Sequence, residues 1–322
     1  MERQPLNVGQ FQKDHGTALE MKMIAGSGGL GRIIREPTVN RPGLALSGFT
    51  RYFAYKRVQV MGHAETFYLR SLREEERVAR YAYLFAYKIP CIVFSRSLKP
   101  DKEFLAAAEQ SGVPVFQTPL VTMKFINKAT LELETLFAPR GTELGSMVDI
   151  LGVGLIIRGE SGIGKSECVL ALIERGYSLV ADDVVKCMLV DGKDVICTSA
   201  DLTRDHMEVR GIGIINVAQM FGVKAIRKEK NLDLIVTLKS WEDVKDVDRL
   251  GMEQQYVKVL GVDIPHVIIP VRPGRDIARL VEVAAFQVKL RKSGYNAAEE
   301  LNKRLLAHME AQAQQQLPPE NK

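Results

Sequence analysis

The stretch LIIRGESGIGKSE, residues 155–167, decides how the second half of the chain folds. Its apolar run, Leu155–Ile157, is typical of a buried strand and leads into a glycine-rich loop. The loop matches the phosphate-binding pattern G-x-x-x-x-G-K-[ST] through Gly159, Gly164, Lys165 and Ser166. Glycine lets backbone N–H groups turn towards phosphate oxygens, lysine adds positive charge, and the serine hydroxyl can complete the ligand shell of Mg²⁺.

The residues that follow the loop have helical spacing. Apolar side chains recur at Val169, Leu170 and Ile173, and Gly176 predicts the end of the helix. A helix that begins near Lys165 directs its partial positive end at the same anion. The sequence therefore predicts a nucleotide phosphate site formed by Gly159, Glu160, Ser161, Gly162, Ile163, Gly164, Lys165 and Ser166.

Composition is that of an ordinary globular protein. The chain of 322 residues is 46% hydrophobic and 26% charged, and its net charge of +5 is too small to indicate a nucleic-acid partner. No apolar run approaches the ~20 residues that span a bilayer. The four cysteines lie in apolar surroundings without C-x-x-C spacing, which favours reduced core thiols. We therefore expect a cytoplasmic protein that binds neither membranes nor nucleic acid.

The length predicts two α/β domains. In the first, the strand-like runs Val58–Met61, Cys91–Phe94 and Val113–Phe116 alternate with helical segments, one of them predicted to start with a capping box of Ser71 and Glu74. Pro139, Gly141 and Gly145 mark the boundary. We expect an N-terminal α/β domain over residues 1–136, a phosphate-loop domain over 137–312 and a disordered tail over 313–322.

A second glycine motif lies near the amino terminus. Gly26, Gly28 and Gly31 spell G-x-G-x-x-G, but Pro37 and Pro42 exclude the helix that a dinucleotide fingerprint requires after its third glycine. The pattern therefore predicts a turn between short strands.

Acidic and basic residues for phosphoryl transfer occur downstream of the loop. Asp182 and Asp183 end the strand-like run Ser178–Ala181, at the edge where open α/β sheets bind ligands, and either carboxylate can serve as a base or as a cap. The segment Glu208–Val217 carries an acid and an arginine before a glycine turn. Arginines at 249, 272 and 275 are framed by proline or glycine, and a guanidinium suits phosphate, although surface arginines are common.

These motifs together resemble the bifunctional HPr kinase/phosphorylase family. The likeness extends from about residue 20 to 307 and rests on long motifs: VNRPG (39–43), SLREEER (71–77), GESGIGKSE (159–167), LVADD (179–183), EVRGIGIINV (208–217), DRLG (248–251), IPVRPGR (269–275) and GYNAAEE (294–300).

The resemblance implies an ATP-dependent, Mg²⁺-requiring kinase of a serine on the phosphocarrier protein HPr, acting in carbon-source regulation as a homohexamer. It also implies the reverse reaction, in which phosphate attacks the phosphoserine and pyrophosphate leaves. Its catalytic domain would be similar to phosphoenolpyruvate carboxykinase. The residues matching the family's catalytic groups are Asp183, Lys165 and Arg249; those matching its Mg²⁺ ligands are Ser166 and Glu208. The segment matching its phosphorolysis region is Pro270, Val271, Arg272, Pro273, Gly274 and Arg275.

One position departs from the family pattern. A catalytic His-Gly pair usually precedes the strands that lead to the phosphate loop, and the aligned pair here is Leu144-Gly145. Leucine can neither titrate nor donate a hydrogen bond. Glu143 is next to it but would face the opposite side of an extended segment. We therefore expect kinase activity to persist while proton handling in phosphorolysis is altered.

Two alternatives remain open at this point. The chain could be a phosphate-loop kinase of a small molecule, or a nucleotide-gated regulator whose site has decayed. Retention of Lys165, Ser166, Asp183, Glu208 and Arg249 argues against decay.

Overall fold

A computed structural model describes residues 5–244 and 255–315, with only the backbone for the last six of these. The chain divides into two compact units, Met1–Ala138 and Pro139–Lys322.

Strands and helices alternate in the first unit, as its sequence predicts. Its helices are α1 (Val8–His15), α2 (Gly43–Ser47), α3 (His63–Ser71), α4 (Glu74–Phe85), α5 (Lys102–Ser111) and α6 (Thr122–Phe137). Its strands are β1 (Lys22–Ala25), β2 (Val39–Asn40), β3 (Val58–Met61), β4 (Ile92–Phe94) and β5 (Val115–Gln117). Within the described residues they form a sheet in the order β1-β5-β4-β3-β2, in which β2 to β5 are parallel and β1 is antiparallel.

Apolar clusters cover both faces of this sheet. One contains Phe11 of α1 and Phe125 of α6, and the other contains Tyr81 of α4 and Phe104 of α5. A parallel sheet buried on both faces explains why its strands read as unbroken apolar runs.

The predicted capping box of Ser71 and Glu74 is wrong. Ser71 is the last residue of α3, where its hydroxyl donates to the carbonyl of Tyr68. Helix α4 begins at Glu74 after the N-cap residue Arg73, whose N–H donates to Glu76. The sequence pattern did not separate two helices that are divided by only two residues.

The amino-terminal glycines form a turn, as predicted, and Gly31 does not open a helix. Along the chain the turn lies between the short strands β1 and β2, as predicted. Gly26 has a φ of +74°, and a side chain there would overlap the carbonyl of Val113.

The described residues of the second unit form a six-stranded sheet, a four-stranded sheet and a two-stranded sheet. Its strands are β6 (Arg140–Leu144), β7 (Ser146–Ile150), β8 (Val153–Gly159), β9 (Ser178–Ala181), β10 (Val184–Val190), β11 (Asp194–Ser199), β12 (His206–Val209), β13 (Gly213–Asn216), β14 (Glu229–Asn231), β15 (Leu234–Ser240), β16 (Gln255–Val259) and β17 (Val262–Val271). Its helices are α7 (Lys165–Glu174), α8 (Val217–Phe221), α9 (Ile277–Lys292) and α10 (Ala297–Gln315).

In the described chain, the main sheet has the order β16-β17-β15-β8-β7-β9. Strands β8, β15 and β17 are parallel neighbours, so their carboxyl ends lie at one edge. Helices α7 and α9 share an apolar cluster with one face. A second cluster joins β7, β8 and β15 to the sheet β14-β11-β10-β6. The phosphate-loop segment is thus held between two cores.

Helix α10 extends to Gln315, three residues into the segment for which the sequence predicted a disordered tail. Residues 316–322 lie outside the described part of the chain. Across residues 5–244 and 255–315, no helix has the length and apolar character required to cross a bilayer.

The amino-terminal turn provides a test of this fold. We expect Gly26→Ala to lower the free energy of unfolding by about 1–3 kcal/mol, because alanine disfavours a positive φ and its methyl group meets the Val113 carbonyl. Chemical denaturation followed by circular dichroism measures this change. Gly28→Ala is the matched control, since a side chain there meets no atom within 4 Å and its φ is not positive. Equal stability of the two variants would contradict the placement of the turn.

Candidate active site

The phosphate loop connects β8 to α7 and lines a cleft of about 420 Å³. Gly159, Gly162 and Gly164 all have positive φ, from +88° to +158°, so the loop uses backbone that other residues rarely adopt. At Gly159 an added side chain would lie 2.8 Å from Ile163 Cγ2 and 2.9 Å from the carbonyl oxygen of Leu238. The strand-loop-helix predicted from the sequence is confirmed.

Lys165 folds back onto the loop. Its Nζ donates to the carbonyl oxygens of Gly159 at 2.7 Å and Glu160 at 2.9 Å. The charge is therefore held at the centre of the loop, where hydrogen bonds to carbonyl groups can be exchanged for bonds to phosphate oxygens.

Asp182 and Asp183 lie opposite the loop, but their carboxylates have different surroundings. Asp182 Oδ1 accepts from the Ser146 hydroxyl at 2.6 Å, and its Oδ2 accepts from the N–H of Glu208 at 3.1 Å. The Asp183 carboxylate is exposed and accepts no hydrogen bond from any residue that the structure describes. Asp182 is thus fixed in place, whereas Asp183 is available to a ligand.

The backbone at this corner is unusual. Gly145 has a φ of +136° and Asp183 a φ of +63°, and the Gly145 N–H donates to the Asp183 carbonyl at 2.9 Å. At these two places the chain passes from one sheet to the other, between β6 and β7 and between β9 and β10. Aspartate is among the few residues that tolerate the left-handed region.

The β12/β13 hairpin brings Glu208 and Arg210 to the cleft. Glu208 is held through its backbone by Asp182. Arg210 donates to the hydroxyl of Ser161 in the phosphate loop. The predicted segment Glu208–Val217 therefore does contact the loop, although its strands were not predicted.

The cleft has no histidine among its lining residues in the described chain. Leu144 ends β6 with 73% of its surface exposed and lines the cleft, whereas Glu143 does not line it and pairs with Arg158, which does. His266 is not among these lining residues, and its Nε2 lies 2.8 Å from the Thr237 hydroxyl. Burial lowers the pKa of His266, and the positive charges of Arg158 and Lys239 lower it further.

The segment Pro270–Arg275 begins with the last two residues of β17 and continues past its end, at the same sheet edge as the loop, but it does not line the cleft. Its strand lies two positions from β8, with β15 between them. Arg249 lies outside the described residues.

Three cleft residues were not predicted as site residues from the sequence: Ser146, Arg158 and Glu167. Ser146 carries no local signal, because its partner Asp182 is 36 positions away. Arg158 directly precedes Gly159, and a basic residue next to a phosphate loop was a signal that could have been used.

Substitution of Asp182 and substitution of Asp183 are expected to affect the Glu208 amide differently. Hydrogen bonds to charged groups contribute about 1.5–3 kcal/mol, so Asp182→Ala is expected to lower the protection of the Glu208 amide from hydrogen exchange about tenfold to hundredfold. Asp183→Asn is the control and should leave that amide unchanged, because the Asp183 carboxylate does not contact it. Exchange measured by NMR or mass spectrometry checks both. Unchanged protection in Asp182→Ala would show that the carboxylate does not hold the hairpin.

Comparison with known proteins gives consistent results. The family models "HPr Serine kinase N terminus" and "HPr Serine kinase C-terminal domain" match residues 6–133 and 135–305. The chain is 40% identical over 305 residues to the HPr kinase/phosphorylase of Geobacter sulfurreducens, covering 95% of this chain and 96% of that protein. It is 44% identical over 269 residues to that of Caldanaerobacter subterraneus, covering 83% and 88%.

A solved structure, that of the Hpr(Ser) kinase/phosphatase from Coxiella burnetii, is 30% identical, with a TM-score of 0.46, and the match covers 50% of this chain and 98% of that one. The two family models and the relatives at 40% identity or more decide the assignment. The chain belongs to the HPr serine kinase family.

Proposed function

We propose that this protein transfers the γ-phosphoryl group of ATP to a serine of HPr, and that it also catalyses phosphorolysis of phosphoseryl-HPr to give pyrophosphate. The observation that carries this proposal is the Asp183 carboxylate, which is exposed in the phosphate-loop cleft without a described hydrogen-bond partner. The names of the relatives support the choice of substrate.

The phosphate loop fits a nucleotide. The open backbone of Gly162 and Gly164 and the start of α7 at Lys165 supply N–H donors for phosphate oxygens. Lys165 would exchange its two loop carbonyls for phosphate oxygens. ATP supplies the phosphoryl group when bound, and the chain's task is to hold it in line with the acceptor.

Ser166 and Glu208 fit a magnesium site. A hydroxyl and a carboxylate are hard oxygen donors, and both line the cleft beside the loop. Mg²⁺ usually keeps several waters and takes only one or two protein carboxylates beside substrate phosphates, so this sparse set is sufficient. The ion would neutralise phosphate charge during transfer.

Asp183 would act as the base in the forward reaction. It takes the proton of the serine hydroxyl while the serine oxygen bonds to phosphorus and the bond to the leaving ADP oxygen breaks. In the reverse reaction a phosphate oxygen bonds to phosphorus, the bond to the serine oxygen breaks, and Asp183 returns the proton to that oxygen. Asp182 cannot replace it without releasing Ser146 and Glu208.

Positive charge for the transferring group would come from several arginines. Arg210 already contacts the loop, and Arg249 is proposed from the family resemblance alone. Arg272 and Arg275 are proposed to serve phosphorolysis.

We further propose a cytoplasmic homohexamer without a nucleic-acid or membrane partner, in which residues 1–136 form an accessory domain and residues 137–312 the catalytic domain. Exposed apolar side chains on α10 are compatible with burial between subunits: Leu301, Leu305, Leu306 and Met309.

Removal of the base is the first test. Asp183→Asn is expected to lower the rate of phosphoryl transfer to HPr about a hundredfold to ten-thousandfold, because general base catalysis is lost. ATP binding, measured by calorimetry, should persist. Wild-type turnover, or loss of ATP binding, would count against Asp183 as the base.

The leucine at the family's histidine position is the second test. Leu144 is exposed at the cleft, so a histidine can be accommodated there. We expect Leu144→His to increase phosphorolysis more than kinase activity, because it restores a titratable group beside Asp183. Forward and reverse rates of both proteins measure this. A wild-type phosphorylase of full activity that the substitution leaves unchanged would refute the expectation.

A further inference from the structure

Trp241 lies beneath two arginines of the segment Pro270–Arg275. The Cζ atom of Arg272 is 4.9 Å from the centre of the indole ring, and that of Arg275 is 5.8 Å from it. Both distances are within the range of a cation–π interaction. Trp241 is the only tryptophan in the sequence, and 44% of its surface is exposed.

Strand register shows where this contact lies relative to the phosphate loop. Leu238 of β15 is paired with Gly159 of β8 on one side and with Ile269 of β17 on the other. Trp241 follows the middle strand of these three, β15; the arginines follow β17, and the phosphate loop follows β8. Strands β8 and β17 are two strand spacings apart, which is about 10 Å. Stacking on Trp241 therefore holds the guanidinium groups beside the end of the middle strand, at the sheet edge that also carries the phosphate loop.

The same arginines lack carboxylate partners among the described residues. Arg275 donates to the carbonyl of Pro270 at 3.1 Å, and Arg272 has neither a hydrogen bond nor an ion pair in the part of the chain that the structure describes. Arg175, by contrast, is bound by Asp276 and Glu282. A stacked guanidinium keeps its N–H edge free, which is the edge that binds phosphate oxygens.

We propose that Trp241 is a positioning residue for phosphorolysis, which holds Arg272 and Arg275 so that they can bind inorganic phosphate or the departing pyrophosphate. This inference rests on the proposed phosphorolysis. The indole has no part in the bond changes. Its contribution is to restrict two long side chains to the sheet edge at which the phosphate loop lies.

The test compares Trp241→Leu with Trp241→Phe. For Trp241→Leu we expect the KM for phosphate in phosphorolysis to rise about threefold to thirtyfold, the range of a cation–π interaction. Its kinase kcat and KM for ATP should stay within about twofold of the wild type. Trp241→Phe keeps an aromatic face and should restore most of the affinity for phosphate. Tyr256→Leu removes a comparably exposed aromatic, 55% accessible, and should change nothing.

Calorimetric titration of each full-length protein with inorganic phosphate separates two kinds of failure. Wild-type protein that binds phosphate but shows no phosphorolysis would refute the proposed reverse reaction. Equal phosphate affinities of wild type and Trp241→Leu would refute the positioning role. So would equal losses of kinase and phosphorolysis in Trp241→Leu, or a Trp241→Phe variant as impaired as Trp241→Leu.

Discussion

The hydrogen bond from the Gly145 N–H to the Asp183 carbonyl fixes the corner on which the site depends. Two segments of the chain leave one sheet and enter the other at this corner, and each does so through a residue with positive φ. At Gly145 a side chain would lie 2.5 Å from the Ile157 carbonyl, so only glycine permits the strands to approach. Because the bond ties β6–β7 to β9–β10, it sets where Asp183 stands relative to the phosphate loop.

The adjacent residues Asp182 and Asp183 at this corner have different surroundings. Both carboxylate oxygens of Asp182 accept hydrogen bonds, one from the Ser146 hydroxyl and one from the backbone of the hairpin that carries Glu208. Asp183, turned the other way by its left-handed backbone, presents its carboxylate to the cleft. Asp182 is thus held rigidly, whereas Asp183 has a defined backbone position and carboxylate oxygens that remain available, as the proposed base requires. The same hairpin links Arg210 to the loop, so the proposed metal ligand Glu208, the aspartate pair and the phosphate loop belong to one connected network.

Local chemistry explains what could be predicted from the sequence. The loop between β8 and α7 and strand β3 follow from apolar runs, glycines and helical spacing within a few residues. Strand β6 was missed because its side chains alternate between exposed and half-buried without an apolar pattern. The contacts of Asp182 span 36 and 26 residues, and no local pattern encodes them. The roles of Asp183 and Glu208 came from family resemblance, and the structure adds the physical difference between the two aspartates, because the Asp182 carboxylate is hydrogen-bonded to Ser146 and to the backbone of Glu208.

The central claim is that this cleft passes a phosphoryl group between ATP and a serine of HPr in both directions. Incubation of the full-length protein with purified HPr, Mg²⁺ and γ-labelled ATP, followed by excess inorganic phosphate, tests it most directly. The account predicts that label enters a serine of HPr and then leaves it as labelled pyrophosphate. Failure of label to enter HPr, with transfer to a free metabolite instead, would contradict it, and release of the label as inorganic phosphate would contradict the phosphorolysis mechanism.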